Sequence, residues 1–169
     1  PALESSGVDY KTYLVIAFSF LISIILLRIY LFKRNRKGLI KNVTKNESLS
    51  GMKWDKFEHF VSQFYKENGY RVTEYGGNQA DGGIDLVVAK GKEKKIVQVK
   101  YYNPKNKISV SLIREMLGVF NSEKEQMKLT GVAIVTSSSF TKPAIEFGEK
   151  NNVELISGIQ ILNSLGVKK

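Results

Sequence analysis

Residues 13–32, YLVIAFSFLISIILLRIYLF, form a run of twenty broken by a single charge, Arg28. As a helix, such a run rises about 30 Å, the thickness of the hydrocarbon layer of a bilayer. A helix that is apolar on every side has no face to give to water, so the segment is expected to span a membrane. Arg28 lies near its C-terminal end, from where the side chain reaches the interface. The basic cluster KRNRK follows at once. By the positive-inside rule it places the C-terminal side in the cytoplasm and the mildly acidic N-terminus, with Glu4 and Asp9, outside. A cleaved signal peptide would show a basic start and a small-residue cleavage site, and the sequence has neither.

Composition then divides the 169 residues into an extracytoplasmic N-terminus (1–12), a transmembrane helix (13–32), a basic juxtamembrane linker (33–50) and a soluble domain (51–169). Residues 38–51, GLIKNVTKNESLSG, are polar and without a sustained period, as a linker should be. The net charge of +10 is unevenly spread: from Lys33 to Lys56 eight basic residues face two acidic ones, whereas from Phe57 onward there are 16 basic and 12 acidic. The basic stretch fits a topology signal in contact with anionic headgroups better than a DNA-binding arm. The absence of cysteine excludes disulfide scaffolds, thiolate nucleophiles and cysteine-ligated zinc or iron–sulfur centres.

In the soluble part, Trp54, Phe57, Phe60, Val61, Phe64 and Tyr65 recur at helical spacing over residues 52–68, and Gly69 supplies a stop. A short strand (70–75), a glycine-rich loop and a hairpin with strands 84–90 and 95–102 follow. Ser109 or Ser111 can cap a second helix that buries Leu112, Ile113, Met116, Leu117 and Phe120. The run GVAIVTS (131–137) reads as a central strand. A third helix (141–151) carries Pro143 in its first turn, and a strand (153–156) and a last helix (159–165) close the chain. The order predicts a mixed α/β fold, one sheet sandwiched by helices.

The hairpin, IDLVVAKGKEKKIVQVKYY, holds polar residues where a sheet interior should be apolar. Ile84, Leu86 and Val88 are expected on one face with Val97, Val99 and Tyr101. Matching those faces pairs Leu86 with Val99 and Val88 with Val97 across a four-residue turn, 91–94. Asp85 then stands opposite Lys100 with Gln98 on the diagonal, and the three form one cluster. A carboxylate and an amide oxygen are hard ligands of the kind Mg²⁺ accepts, with water in its remaining positions. Lys100 could orient an attacking water or stabilise the charge of a phosphorane-like transition state. From spacing alone, a cross-strand Asp85–Lys100 ion pair beside a solvated Gln98 stands as an equal reading. Glu58 sits at the edge of the apolar arc of its helix, beside Trp54 and Tyr65, where it points along the sheet face or out to solvent.

Taken in order, FEHFVSQFYKENGYRV, ADGGIDLVV, IVQVKYY and GVAIVTSSSFTKPAIEFGEKNNVELISG resemble the catalytic domain of Mrr-like restriction endonucleases (type IV), a branch of the PD-(D/E)xK nuclease superfamily in its D…QxK form. The resemblance covers residues 57–165 and implies a restriction-endonuclease-like fold. It also implies a metal-dependent endodeoxyribonuclease that uses Mg²⁺, with Mn²⁺ as a substitute, and no small-molecule cofactor. Asp85 would be a metal ligand, Gln98 would stand where many relatives carry Asp or Glu, and Lys100 would be the catalytic lysine. Glu58 matches the acidic residue of the superfamily's first helix, and the backbone carbonyl of Val99 is a further ligand. Gln98 in place of a carboxylate lowers the negative charge of the site and so its hold on a cation.

The expected protein is thus a membrane-anchored, cytoplasm-facing DNA endonuclease of restriction or DNA processing. The alternative is a nuclease-fold module that is weak or inactive as a catalyst and binds DNA or a partner at the membrane. A homodimer is expected, because cutting both strands of a duplex usually takes two active sites. Asn78 and Gln79 in the loop before the hairpin are further candidates for nucleic-acid contact, Asp81 could let the DNA backbone approach or add an outer-shell carboxylate, and Gly82 and Gly83 read as a turn. Lys90, Lys92, Lys94 and Lys95 crowd the hairpin turn as phosphate contacts or as a solvated charge run. His59, the sole histidine, falls on the exposed side of its helix, away from the role of general base.

Overall fold

The computed structural model describes residues 9–45, 49–75 and 83–165. It divides into two compact units, residues 1–37 and 38–169.

Helix α1 runs Tyr10–Lys45. Its segment Tyr10–Leu31, 22 residues with a mean hydropathy of 2.5, is long and apolar enough to cross a membrane. The hydroxyls inside it bond back into their own helix, Ser19 to the Ile16 carbonyl at 2.8 Å and Ser23 to that of Ser19 at 2.9 Å. Each of these two hydroxyls thus has its acceptor within its own helix. The helix also continues to Lys45, through most of the segment expected to be an irregular linker. A helix already nucleated gains one hydrogen bond per added residue, and a lone Gly38 costs only about 1 kcal/mol against that.

After the end of α1, the second unit has a 3₁₀ turn, Leu49–Gly51, whose Leu49 is buried in the core. Helix α2, Trp54–Glu67, buries Phe57, Phe60, Val61 and Tyr65, and ends at Asn68 before Gly69 in the left-handed region (φ +83°). Phe64, expected in the same face, is only partly buried. Trp54 departs from expectation: it is 56% exposed. Side chains lean toward a helix's N-terminus, so one at the first position projects past the end of the layer that the helix covers.

The five strands are β1 (Arg71–Glu74), β2 (Leu86–Lys90), β3 (Glu93–Lys100), β4 (Gly131–Thr136) and β5 (Glu154–Ile156), lying side by side in chain order. The first three pair antiparallel and the last three parallel, so the sheet is mixed. The parallel pairs need crossovers, which α3 (Val110–Met127) and α4 (Lys142–Lys150) supply. Ser109 takes the N-cap position of α3, although its hydroxyl meets that of Ser111 rather than the helix backbone. Thr141 caps α4 by accepting from the Ala144 N–H. Helix α5, Gly158–Leu165, closes the fold.

Strand alternation feeds two cores. Leu86, Val88, Val97, Val99 and Val135 face α2 and α5, whereas Val87, Ile96, Val132 and Ile134 face α3 and α4. The mixed sheet between helices is the expected architecture.

Two features of the hairpin differ from expectation. The turn has two residues, with Lys90 pairing Glu93 and Gly91 at φ +59°, and Leu86 therefore pairs with Val97 rather than Val99. A shift of two residues keeps every side chain on its face, so the hydrophobic pattern is blind to it and the tight turn decides. Ile84 also joins the α3-side core instead of sharing a face with Leu86 and Val88.

Candidate active site

The side switch at Ile84 has a local cause. The N–H of Asp85 bonds to the carbonyl of Val97 at 3.0 Å, although Val97 is already the ladder partner of Leu86. Two residues of one strand against one of the other is the arrangement of a β-bulge, which breaks alternation and re-aims a side chain. The Asp85 carbonyl accepts from Tyr75 at 2.7 Å, so β1 pins the bulge from its other side. Freed from the ladder, the Asp85 carboxylate turns back over β3, where its Oδ2 accepts the Val99 N–H at 2.5 Å and the Gln98 side-chain amide.

The pairing expected of the cluster is thereby revised. Asp85 lies just outside the paired register, which begins at Leu86–Val97, and its carboxylate accepts from the Gln98 side chain on the neighbouring strand. Gln98 is not the solvated residue of the ion-pair reading, since it is 4% exposed and hydrogen-bonded. Alternation along β3 puts Gln98 and Lys100 on the side of Ile96, toward α3. There the amide oxygen of Gln98 fills the space above Gly83: a Cβ on that glycine would come within 2.6 Å of Oε1 and 3.9 Å of the Met116 sulfur. Gly83 also holds φ +87°. The glycine read as a mere turn is a cradle for Gln98, a role with no signal in the sequence beyond the glycine itself.

Lys100 ends β3 opposite Thr136 of the parallel strand β4. Beyond it the chain is tied down by Ser137, whose hydroxyl accepts the Tyr102 N–H at 2.9 Å and donates to the Tyr102 carbonyl at 3.0 Å. The carboxyl ends of parallel strands are where open α/β sheets commonly bind ligands, and Lys100 sits at one of them.

Glu58 comes from α2, which covers the other side of the sheet, so it cannot lie along the face of Gln98 and Lys100. It approaches at the sheet's end instead. Its carboxyl titrates above the ordinary range, first because it is partly buried, then because the charges of Asp85 and Glu74 oppose its own. Glu74 is held ionised chiefly by the Ser62 hydroxyl, 2.7 Å away.

A carboxyl whose folded pKa is raised binds more protons in the folded state. Its contribution is most favourable below the unfolded value and is lost as pH rises through the folded one. Glu58→Gln is therefore expected to raise the melting temperature near neutral pH in divalent-free buffer, and the gain should fade as pH falls through the carboxylate range. Equal melting temperatures at all pH values would refute this account.

The other candidates fall away from this end. Lys90 lies over the Tyr70 ring (5.3 Å to its centre) and donates to the Asn68 carbonyl. Lys94 donates to the Met127 carbonyl, and Lys95 pairs with Glu93 and Glu154. These three lysines are engaged by the protein at the opposite end of β3; Lys92 is exposed. His59 is exposed and hydrogen-bonds Gln63 at 2.8 Å. Asn78, Gln79, Asp81 and Gly82 lie outside the described residues.

Among the described residues no group of three or more Asp, Glu, His or Cys gathers as a metal centre. The donors present are nevertheless all oxygens: the Asp85 and Glu58 carboxylates, the Gln98 amide oxygen and the Val99 carbonyl. Asp85 also raises the pKa of Glu58, a like-charge opposition that a cation between them would relieve. This set fits a hard divalent ion that keeps several waters.

Comparison with known proteins adds the lineage. A family model for the Mrr catalytic domain, described as restriction endonuclease, matches residues 49–165. No curated protein matches the chain in sequence. Among solved structures, a protein of unknown function, AF1548, superposes with a TM-score of 0.56 at 19% identity over 64% of this chain and 65% of its own. AspBHI, a DNA modification-dependent restriction endonuclease, gives 0.52 at 16% over 79% of this chain and 36% of its own. MspJI restriction endonuclease in complex with a 27-mer oligonucleotide gives 0.45 at 21% over 62% and 26%. The chain therefore spans less than two thirds of each of these proteins, and AF1548 and AspBHI share its fold. With the family model covering the sheet, all four of its helices and the Asp85, Gln98 and Lys100 cluster, this chain belongs to the Mrr catalytic-domain family of restriction endonucleases.

Proposed function

We propose that the protein is a membrane-anchored endonuclease that hydrolyses DNA phosphodiester bonds with the help of Mg²⁺, for which Mn²⁺ can substitute. The observation that carries this reading is the bulge at Asp85, which takes a carboxylate out of the ladder and sets it against Gln98 beside Lys100. Asp85, Glu58, the Gln98 amide oxygen and the Val99 carbonyl would hold the cation, which when bound supplies a polarised phosphoryl oxygen and a more acidic water. Gln98 at present donates to Asp85; turning its amide over would offer the oxygen to an ion and leave the packing unchanged. The Lys100 ammonium orients the attacking water and stabilises the extra negative charge that builds on the phosphorus-bound oxygens. Gly83 keeps the Gln98 amide in place.

The anchor is the apolar segment of α1, with the N-terminus outside and the nuclease domain in the cytoplasm. Two copies would let both strands of a duplex be cut. A second reading, a DNA-binding module without catalysis, draws on the hydrogen bond that Gln98 gives to Asp85, which an amide turned toward an ion would lose. The two separate in one experiment, nicking of supercoiled plasmid by the full chain in detergent. The enzyme reading expects Mg²⁺- or Mn²⁺-dependent nicking that EDTA abolishes. Salt-dependent DNA binding with no cutting of modified or unmodified plasmid would leave the binding module.

Gly83→Ala tests the cradle. A Cβ at φ +87° strains the backbone by about 1–3 kcal/mol and must also push Gln98 aside. Displacing a catalytic group by about 1 Å costs on the order of 10²-fold in rate. The nicking rate of this variant is expected to fall by that order, while Gly91→Ala, a positive-φ turn glycine with open space around it, leaves the rate unchanged.

A further inference from the structure

Trp54 is 56% exposed, Tyr75 40% and Tyr102 39%, in a domain whose other large aromatic residues are mostly covered. Exposed aromatic side chains gathered in one place, unlike scattered single ones, mark an interaction site. All three stand at the end of the sheet that holds Asp85. Tyr75 bonds its N–H to the Asp85 carbonyl, and Tyr102 is two residues past Lys100. Trp54 is one helical turn before Glu58, on the same face of α2. Phe57 of that same turn packs its ring 5.7 Å from that of Tyr101, so the start of α2 lies over the end of β3. Lys53 and Lys56, both exposed, flank Trp54.

Exposed aromatic faces interleaved with cations are what a single nucleic-acid strand needs, because its bases stack on rings while its phosphates meet the charges. A base inside a duplex has no free face to offer. We propose that Trp54, with Tyr75 and Tyr102, stacks an unpaired nucleobase beside the scissile phosphate, so that the preferred substrate is DNA with single-stranded character at the cut, which the locally opened segments of a supercoiled duplex also offer. The proposal rests on the nuclease reading for the word "scissile", but the stacking is measurable without cleavage.

Trp54 is the sole tryptophan, so the intrinsic fluorescence of the full chain reports on it alone. In phosphatidylcholine discs with EDTA, a single-stranded oligonucleotide should quench the emission and shield Trp54 from acrylamide, whereas a duplex of equal phosphate concentration should do neither. Trp54→Ala should weaken single-strand binding about tenfold, and Trp54→Phe should restore most of it. Equal quenching by duplex, no quenching at all, or shielding from acrylamide already present in the discs without DNA would overturn the proposal. The last result would assign Trp54 to the lipid interface, where tryptophan also gathers. With Mg²⁺ added, cleavage without quenching would remove the stacking and keep the nuclease. Quenching without cleavage would do the reverse.

Discussion

Lys100→Ala is expected to lower metal-dependent plasmid nicking by about 10²–10⁴-fold, the range over which enzymes lose rate when one charge-stabilising or proton-handling group is removed. Lys100 closes β3 at the sheet's end, so its removal should leave the melting temperature almost unchanged. Asp85→Ala should abolish cutting as well, for a different reason and with a structural cost. Its Oδ2 accepts the Val99 N–H, and losing that acceptor leaves a buried donor unmet at about 1–3 kcal/mol. Asp85→Asn separates the two effects, because its amide oxygen can keep the Val99 bond while the carboxylate charge is lost. Activity lost in Asp85→Asn with the fold intact assigns the charge to the chemistry. Variants at both positions that cut as fast as the parent would end the nuclease reading.

The largest effect on stability is expected at Phe57. Its side chain is wholly buried between α2 and the sheet, 6.4 Å from the Phe60 ring and 5.7 Å from that of Tyr101. Phe57→Ala removes these contacts and leaves a cavity, a change that costs about 3–5 kcal/mol in comparable cores. For a domain of this size the loss lowers the melting temperature by roughly 10–20 °C. Near-ultraviolet circular dichroism of the full chain in detergent would read it. Because the same turn carries Glu58 and Trp54, the variant should also loosen the site before it unfolds. A drop of less than about 1 kcal/mol would show that α2 is held elsewhere.

Much of this site could be read from residue spacing. The alternation of β3 separates Gln98 and Lys100 from Val97 and Val99 without any knowledge of the fold, because a strand sends successive side chains to opposite sides. The period of α2 separates Phe57, Phe60 and Val61 from His59 in the same way. The register of the hairpin was not legible, because pairing Leu86 with Val97 or with Val99 buries the same faces. Neither was the bulge at Asp85, which depends on which carbonyl its N–H meets. Trp54 falls in the same apolar arc as Phe57 on a helical wheel and is set apart by standing at the helix's first position.

By itself, the sequence determined the kinds and order of the elements, the apolar span of α1, the buried faces of the sheet and the identity of the polar residues set among them. These follow from periodicity and composition, which act over a few residues. Only the tertiary structure decided that Asp85 leaves its ladder to hold Gln98 and the Val99 N–H, that Gly83 makes room for that amide, and that Glu58 approaches from the other side of the sheet. Each of these depends on what a distant strand or helix places opposite the residue, and local patterning contains no such information.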